Sequence, residues 1–108
     1  MNAAVGSTGE NPRESPRTWW LYLLLCRDGR TYAGITPDVA TRYQVHVSGR
    51  GAKFTRANPP QAILGAEMYG NKSAAMQAEC ALKLLSRDEK LHWAEQRPYR
   101  PTLANAAD

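Results

Sequence analysis

Two strand-like segments around a tight turn constrain the fold of this chain more than any other feature of its sequence. Residues 19–26 and 31–36 are rich in aromatic, aliphatic and β-branched side chains, which are the residue types enriched in strands. Between them lies Arg27-Asp28-Gly29, which is typical of a turn. The pattern predicts a β-hairpin, so the fold is expected to contain an antiparallel pair of strands.

The length of the hairpin loop decides which side chains share a face, because side chains alternate along a strand. A two-residue turn would place Tyr22 opposite Ile35 and leave Tyr22 and Tyr32 on opposite faces. A three-residue loop with Gly29 in the left-handed conformation would place Tyr22 opposite Gly34 instead. We predict the three-residue loop, which puts both tyrosines on one face of the sheet.

A helix is predicted directly after the hairpin. Thr36-Pro37 fits an N-cap followed by proline at the first helical position, and the helix should run from Pro37 to about Ser48. Its predicted core positions are Val39, Ala40, Tyr43 and Val47. Arg42 and His46 are four residues apart beside these positions, so they can point at one shared target.

The rest of the chain predicts an exposed loop, a third strand and two more helices. The loop covers 49–60, the strand covers 62–69, the second helix runs from a cap at Asn71 or Ser73 to Leu85, and the third runs from a capping box at 86–89 to about Gln96. The resulting order is β-β-α-β-α-α. This is an α+β fold in which a mostly antiparallel three-stranded sheet is flanked by three helices.

A chain of 108 residues suits one compact domain, which we expect to cover residues 18–96. Residues 1–17 are mostly small and polar and are expected to form a disordered N-terminal tail. Residues 97–108 lack an apolar pattern and are expected to form a flexible C-terminal tail. The longest apolar run, 19–26, is far shorter than the ~20 residues of a membrane-spanning helix, and no signal-peptide pattern precedes it. We therefore expect a cytoplasmic protein.

Positive charge is concentrated in one part of the sequence. The formal net charge is +4, and the window from Arg27 to Arg56 contains six basic and two acidic residues, so it carries the whole surplus. A concentrated basic segment attracts polyanions and releases their counterions. The distribution indicates nucleic acid as the partner, although a solvated basic face would have the same composition.

The order of a few polar and aromatic residues is more specific than any single motif. The residues are Tyr22, Tyr32, Gly34, Arg42, His46 and Glu79. This order resembles the GIY-YIG nuclease family: Trp20-Leu21-Tyr22 stands where the family has GIY, and Tyr32-Ala33-Gly34 stands where it has YIG. Lys53-Phe54-Thr55-Arg56 is similar to a Lys-aromatic-Thr-Arg segment of the small stand-alone bacterial members.

The resemblance implies an endonuclease that cleaves DNA with one divalent metal ion and leaves 3′-hydroxyl and 5′-phosphate ends. It implies that Glu79 binds the ion, Mg²⁺ or Mn²⁺, and that Arg42 contacts the scissile phosphate. It also implies that a motif tyrosine activates the attacking water. We assign this activation to Tyr22 and a positioning role to Tyr32.

The chemistry of these side chains is compatible with phosphodiester hydrolysis, which requires an activated nucleophile and neutralisation of phosphate charge. Arg42 can bind a phosphate bidentately. Glu79 suits an ion that keeps several waters, but it can equally form an i,i+4 ion pair with Lys83. Because the pKa of tyrosine is about 10, Tyr22 would need a nearby cation to act as a base. His46 can donate to the phosphate or share a proton with a tyrosine.

Four further residues are expected to contact nucleic acid. Lys53 and Arg56 are expected to bind backbone phosphates, and Phe54 is expected to stack on a base. Gly34 would let the backbone approach nucleic acid, or another segment of the chain, closely.

Two departures from the family pattern bear on catalysis. Ile35 stands where several of these nucleases have a lysine, and Phe54 lacks the hydroxyl of the tyrosine frequent in its segment. Both changes would weaken catalysis without abolishing binding. The alternative function is therefore a nucleic-acid-binding module, or a subunit of a larger DNA-processing complex. A protein partner that supplies target recognition would fit so short a chain.

Overall fold

The computed structural model describes residues 18–99 and shows an antiparallel sheet with helices on both faces. The elements are β1 (Trp19–Cys26), β2 (Thr31–Thr36), α1 (Val39–Val47), α2 (Lys53–Ala57), β3 (Pro60–Tyr69), α3 (Lys72–Lys83) and α4 (Arg87–Glu95). The strands are ordered β2-β1-β3, and both neighbours pair with β1 in the antiparallel sense. The predicted α+β fold and its element order are confirmed, with the short helix α2 as an addition.

The hairpin has the predicted three-residue loop. Tyr22 pairs with Gly34, and the amide of Cys26 donates to the carbonyl of Arg30 over 2.8 Å. Gly29 has a φ angle of 93°, in the left-handed region that favours glycine. Tyr22 and Tyr32 consequently lie on the same face of the sheet, with their ring centroids 6.5 Å apart.

Strand β1 is buried on both faces, which explains its nearly continuous apolar sequence. Leu21 and Leu23 pack with residues of α3 and α4 on one face. Tyr22 and Leu24 pack with Val39 of α1 on the other. The sheet is therefore the middle layer of three, with α1 on one side and α3 and α4 on the other.

Helix α1 begins two residues later than predicted. Its N-cap is Asp38, whose carboxylate accepts a hydrogen bond of 3.1 Å from the amide of Thr41, so the prediction of Thr36 as the cap was wrong. Asp38 outcompetes Thr36 because aspartate is at least as good a cap and here also binds the Thr41 hydroxyl. The predicted core stripe was also partly wrong, since Val47 is 44% exposed whereas His46 is fully buried.

The prediction of an exposed loop over 49–60 was wrong in part. The segment 49–60 contains α2 and the first residue of β3, and both Thr55 and Asn58 are buried. The Asn58 side-chain amide donates to the Asp28 carboxylate over 2.6 Å, and its oxygen accepts from the Asp28 amide over 3.1 Å. These contacts fix the end of α2 to the hairpin loop, so this segment is part of the folded core.

The later elements follow the sequence more closely. Asn71 caps α3 by accepting from the amide of Ala74, and Ser86 and Glu89 form the predicted capping box of α4. Gly65 of β3 permits α4 to approach the sheet, because a Cβ at this position would lie 2.7 Å from the Ala94 carbonyl oxygen.

Residues at the C-terminal end of the described range contact the domain. The backbone carbonyl of Arg97 accepts a hydrogen bond from the amide of Ala66. The side chain of Arg97 donates to the carboxylate of Glu67 over 2.8 Å. The expected N-terminal tail, 1–17, and the expected C-terminal tail from residue 100 onward lie outside the described residues. Within residues 18–99, no helix combines the length and apolar character needed to cross a membrane.

Candidate active site

The predicted site residues converge on the hydroxyl of Tyr22. The ring centroid of His46 lies 6.0 Å from the ring centroid of Tyr22 and 5.2 Å from that of Tyr32. The guanidinium of Arg42, from the same helix as His46, is close enough to act on the ionisation of Tyr22. The carboxylate of Glu79 also acts on the ionisation of Tyr22. Glu79 lies in α3, which packs against the opposite face of the sheet. Two helices on opposite faces thus supply charges to one strand.

Gly34 makes room for the Tyr22 side chain. A Cβ at Gly34 would lie 2.7 Å from the Cζ atom of Tyr22 and would clash with its hydroxyl. Because Gly34 is buried beneath the phenol, its bare backbone faces another part of the chain and not solvent. The group that approaches the Gly34 backbone closely is therefore the side chain of Tyr22. In this structure Gly34 accommodates Tyr22 and is not placed to contact nucleic acid.

A chain of buried hydrogen bonds runs from Tyr22 through His46 into α2. The Tyr22 hydroxyl lies 3.0 Å from Nε2 of His46, and Nδ1 of His46 lies 2.7 Å from the Thr55 hydroxyl. The Thr55 hydroxyl in turn donates to the carbonyl of Ala52 over 2.9 Å. Thr55 was not among the predicted site residues. The only sequence signal for it was its place in the Lys-aromatic-Thr-Arg segment.

Burial keeps both partners of the Tyr22–His46 pair neutral. Burial, helped by the neighbouring Tyr32 and opposed by Arg42, raises the pKa of Tyr22 to about 12. Burial and the nearby charge of Arg42 lower the pKa of His46 to about 4. At neutral pH the pair therefore consists of a protonated phenol and an uncharged imidazole.

Glu79 is the carboxylate whose charge reaches Tyr22, so it is the candidate ligand for a metal ion at this site. Its side chain is 21% exposed and contacts the ammonium of Lys83 at 3.2 Å. No three or more His, Cys, Asp or Glu side chains cluster within residues 18–99 as a protein cage for a metal would require. One accessible carboxylate fits an ion such as Mg²⁺, which keeps several waters and completes its shell with substrate phosphates.

An aromatic and basic rim borders the site on the side of α2. Phe54 stacks on Tyr32 with a centroid separation of 6.0 Å, and the guanidinium of Arg30 lies 4.8 Å from the centre of the Phe54 ring. Lys53 and Arg56 are exposed on the same short helix. Three of the residues expected to contact nucleic acid therefore lie next to the predicted catalytic residues.

Comparisons with known proteins agree with this arrangement. A family model described as the GIY-YIG catalytic domain matches residues 18–92. A UPF0213 protein from Xanthomonas axonopodis pv. citri is 51% identical over 82 residues, covering 76% of this chain and 80% of that protein. A UPF0213 protein from Xanthomonas campestris pv. campestris is 43% identical over 95 residues, covering 88% and 93%. A solution NMR structure of a protein from E. faecalis is 35% identical with a TM-score of 0.52, covering 77% of this chain and 88% of that one.

Proposed function

This chain belongs to the GIY-YIG family, and we propose that it is a divalent-metal-dependent endonuclease that hydrolyses DNA phosphodiester bonds. The observation that carries the proposal is the buried hydrogen bond between Tyr22 and His46, within reach of the charges of Arg42 and Glu79. Burying polar groups costs free energy. A hydrolytic site can use such a pair to accept a proton from the attacking water, a role that a binding surface does not require.

Tyr22 and His46 together can take a proton from the attacking water. Because its pKa is about 12, Tyr22 does not act as a phenolate at neutral pH. As its oxygen accepts a proton from water, its own proton passes to Nε2 of His46, and the hydroxide formed attacks phosphorus. The low pKa of His46 then favours return of that proton to the Tyr22 oxygen, which releases its own proton to water in the site. The leaving 3′-oxygen takes a proton from solvent, which gives 3′-hydroxyl and 5′-phosphate ends.

Arg42 supplies the fixed positive charge of the site. Its planar guanidinium can donate two parallel hydrogen bonds to the scissile phosphate and oppose the charge that develops in the transition state. A divalent ion held by Glu79 would supply further positive charge to the phosphate and the leaving oxygen. The Lys83–Glu79 contact does not block this role, because i,i+4 ion pairs on helices contribute only about 0.3–0.5 kcal/mol.

The rim formed by α2 is proposed to position DNA. Lys53 and Arg56 would contact backbone phosphates, which fix register without reading sequence. Phe54 already carries Arg30 over its ring, so a base that stacks here would meet the guanidinium or displace it. These contacts would bring the phosphate to Arg42.

The direct test is cleavage of supercoiled, linear, branched and single-stranded DNA with Mg²⁺, with Mn²⁺ and with EDTA. We expect metal-dependent nicking by the wild type and loss of at least about 100-fold in Glu79→Gln and Arg42→Ala, which remove charge stabilisation of the transition state. Glu95→Gln is the matched control, because it removes an exposed carboxylate from α4, and its activity should equal that of the wild type.

Cleavage, combined with measurements of DNA binding in EDTA and of protein-partner capture, distinguishes the alternative functions. DNA binding that persists in EDTA, with no cleavage under any metal, would contradict the enzyme and support a binding module. Cleavage that is unchanged in both Glu79→Gln and Arg42→Ala would come from a different site or a contaminant. Weak DNA affinity together with capture of a protein partner would instead support a subunit of a DNA-processing complex.

A further inference from the structure

We propose that Thr55 is a positioning residue that holds His46 in the tautomer able to accept a proton from Tyr22. Thr55 lies in α2, outside the tyrosine, arginine and glutamate set, and would act through His46 without touching the substrate. The kinetic consequence rests on the proposed hydrolysis, whereas the tautomer itself is a property of the free protein.

The contacts of the Thr55 hydroxyl point to one tautomer of His46. A threonine hydroxyl has one proton, and the carbonyl of Ala52, 2.9 Å away, can only accept it. With its proton donated there, the hydroxyl accepts from Nδ1 of His46, 2.7 Å away. In this arrangement Nδ1 carries the proton of the neutral imidazole, which leaves Nε2 with a lone pair. Nε2 accordingly accepts from the Tyr22 hydroxyl at 3.0 Å.

Packing around the ring leaves Nδ1 no replacement for Thr55. His46 is fully buried, so water does not reach its ring. The backbone of Gly51 lies against the Nδ1 edge: a Cβ there would clash with Nδ1 and lie 2.9 Å from Cε1. Among the described residues, Thr55 is the only hydrogen-bond partner of Nδ1.

Loss of the Thr55 hydroxyl should therefore reverse the tautomer. A buried N–H group without an acceptor is strongly disfavoured, so the proton would move from Nδ1 to Nε2. An Nε2–H group would donate to the Tyr22 oxygen, and Tyr22 would have lost the acceptor for its own proton. Arg42 and Glu79 would be retained, but the proton could no longer pass from water to His46.

The first experiment reads the tautomer directly. The ¹⁵N and ¹³C signals of the His46 ring distinguish Nδ1–H from Nε2–H, and they can be recorded on the full chain at neutral pH without metal or DNA. We expect Nδ1–H in the wild type, mainly Nε2–H in the isosteric Thr55→Val variant, and Nδ1–H again in Thr55→Ser. An Nε2–H tautomer in the wild type, or Nδ1–H in Thr55→Val, would overturn the proposal. If Thr55→Val does not fold, an Nε2–H tautomer in the wild type would still overturn the proposal.

The second experiment measures DNA cleavage by the same three proteins. Removing assistance from a general base lowers rates by about 100-fold or more, so Thr55→Val should lose about this factor in kcat with KM little changed. Thr55→Ser should recover most of the wild-type rate. A reversed tautomer with undiminished cleavage would overturn the positioning role. Absence of cleavage in the wild type would contradict the proposed function, while the NMR spectra would still decide the tautomer.

Discussion

At the scale of single residues, the tightest constraint on the site is the contact between Tyr22 and Gly34. Replacement of Gly34 by alanine would push a methyl group into the phenol, since the Cζ atom of Tyr22 lies only 2.7 Å from that position. We expect Gly34→Ala to destabilise the fold by about 1–3 kcal/mol. Displacement of Tyr22 from His46 should also lower kcat by about 100-fold.

Denaturant unfolding and single-turnover cleavage measure the two effects of Gly34→Ala separately. Gly70→Ala is the matched control, because a Cβ at Gly70 meets no atom within 4 Å and the residue does not have a positive φ. Wild-type stability and rate in Gly34→Ala would mean that Tyr22 has another way to reach His46.

The residues of the site differed in how far the sequence predicted them. Register predicted that Tyr22 and Tyr32 share a face, and helical spacing predicted that Arg42 lies beside His46. That the two pairs belong to one site was implied by the family resemblance alone. Thr55 did not stand out, because its role depends on contact with His46 across a turn that lacks any periodic pattern. The burial of His46 was missed for the same reason, since its polar partners come from two other elements.

At the scale of elements, the N-cap of α1 positions both Arg42 and His46. Asp38 accepts from the amide and the hydroxyl of Thr41. We expect Asp38→Ala to lower stability by about 1 kcal/mol, which is typical for loss of a capping side chain. Asp38→Asn keeps a side-chain acceptor and should stay within a few tenths of a kcal/mol of the wild type. Equal destabilisation of both variants, measured by urea unfolding, would show that the cap contributes through its charge alone.

Helix α2 is expected to determine the salt dependence of DNA binding. Each phosphate contact that is removed should reduce the slope of log K against log salt by about 1. We expect this change for Lys53→Ala and for Arg56→Ala, measured by fluorescence anisotropy in EDTA. Lys72→Ala is the matched control, because Lys72 is the first residue of α3 just as Lys53 is the first residue of α2. The ammonium of Lys72 lies over the ring of Trp19, which is at the end of β1 away from the hairpin loop. Equal changes in slope for Lys53→Ala and Lys72→Ala would indicate nonspecific attraction by net charge.

The elements themselves were predictable where local signals were strong. The capping box of α4 and the glycine of the hairpin loop are local patterns, and both appear in the structure as expected. Helix α2 was missed because five residues are too few for a periodic pattern. It is held by the contact of Thr55 with His46, 9 residues earlier, and by the contact of Asn58 at its C-terminal end with Asp28, 30 residues earlier.

At the scale of the whole molecule, the site shares Tyr22 with the hydrophobic core. Tyr22 is 3% exposed and packs in one core cluster with Leu24 and Val39, and the neighbouring residues of β1 pack against α3 and α4. A substitution at the site therefore changes folding stability as well as catalysis. A loss of activity in a variant at these positions can be assigned to catalysis only if the free energy of unfolding of the same variant is also measured.

The buried imidazole of His46 links the stability of the whole protein to pH. Its pKa is about 4 in the folded state, against 6.5 in a solvated chain. Between these values the unfolded chain binds a proton that the folded protein does not, so stability is lost as pH falls from 6.5 through 4. The loss attributable to His46 between neutral pH and about pH 4 should be about 3 kcal/mol.

Urea unfolding of the wild type and His46→Gln at pH 7 and at about pH 4 isolates this effect. Asp28 and Glu67 have lowered pKa values, Asp28 chiefly through the backbone hydrogen bond from Arg30 and Glu67 through its hydrogen bond with Arg97. They destabilise both proteins alike in acid, so their contribution cancels in the comparison. The wild type should therefore lose about 3 kcal/mol more than His46→Gln over this interval. An equal loss in both proteins would mean that His46 accepts a proton in the folded state, and the neutral acceptor required for Tyr22 would then be absent in mild acid.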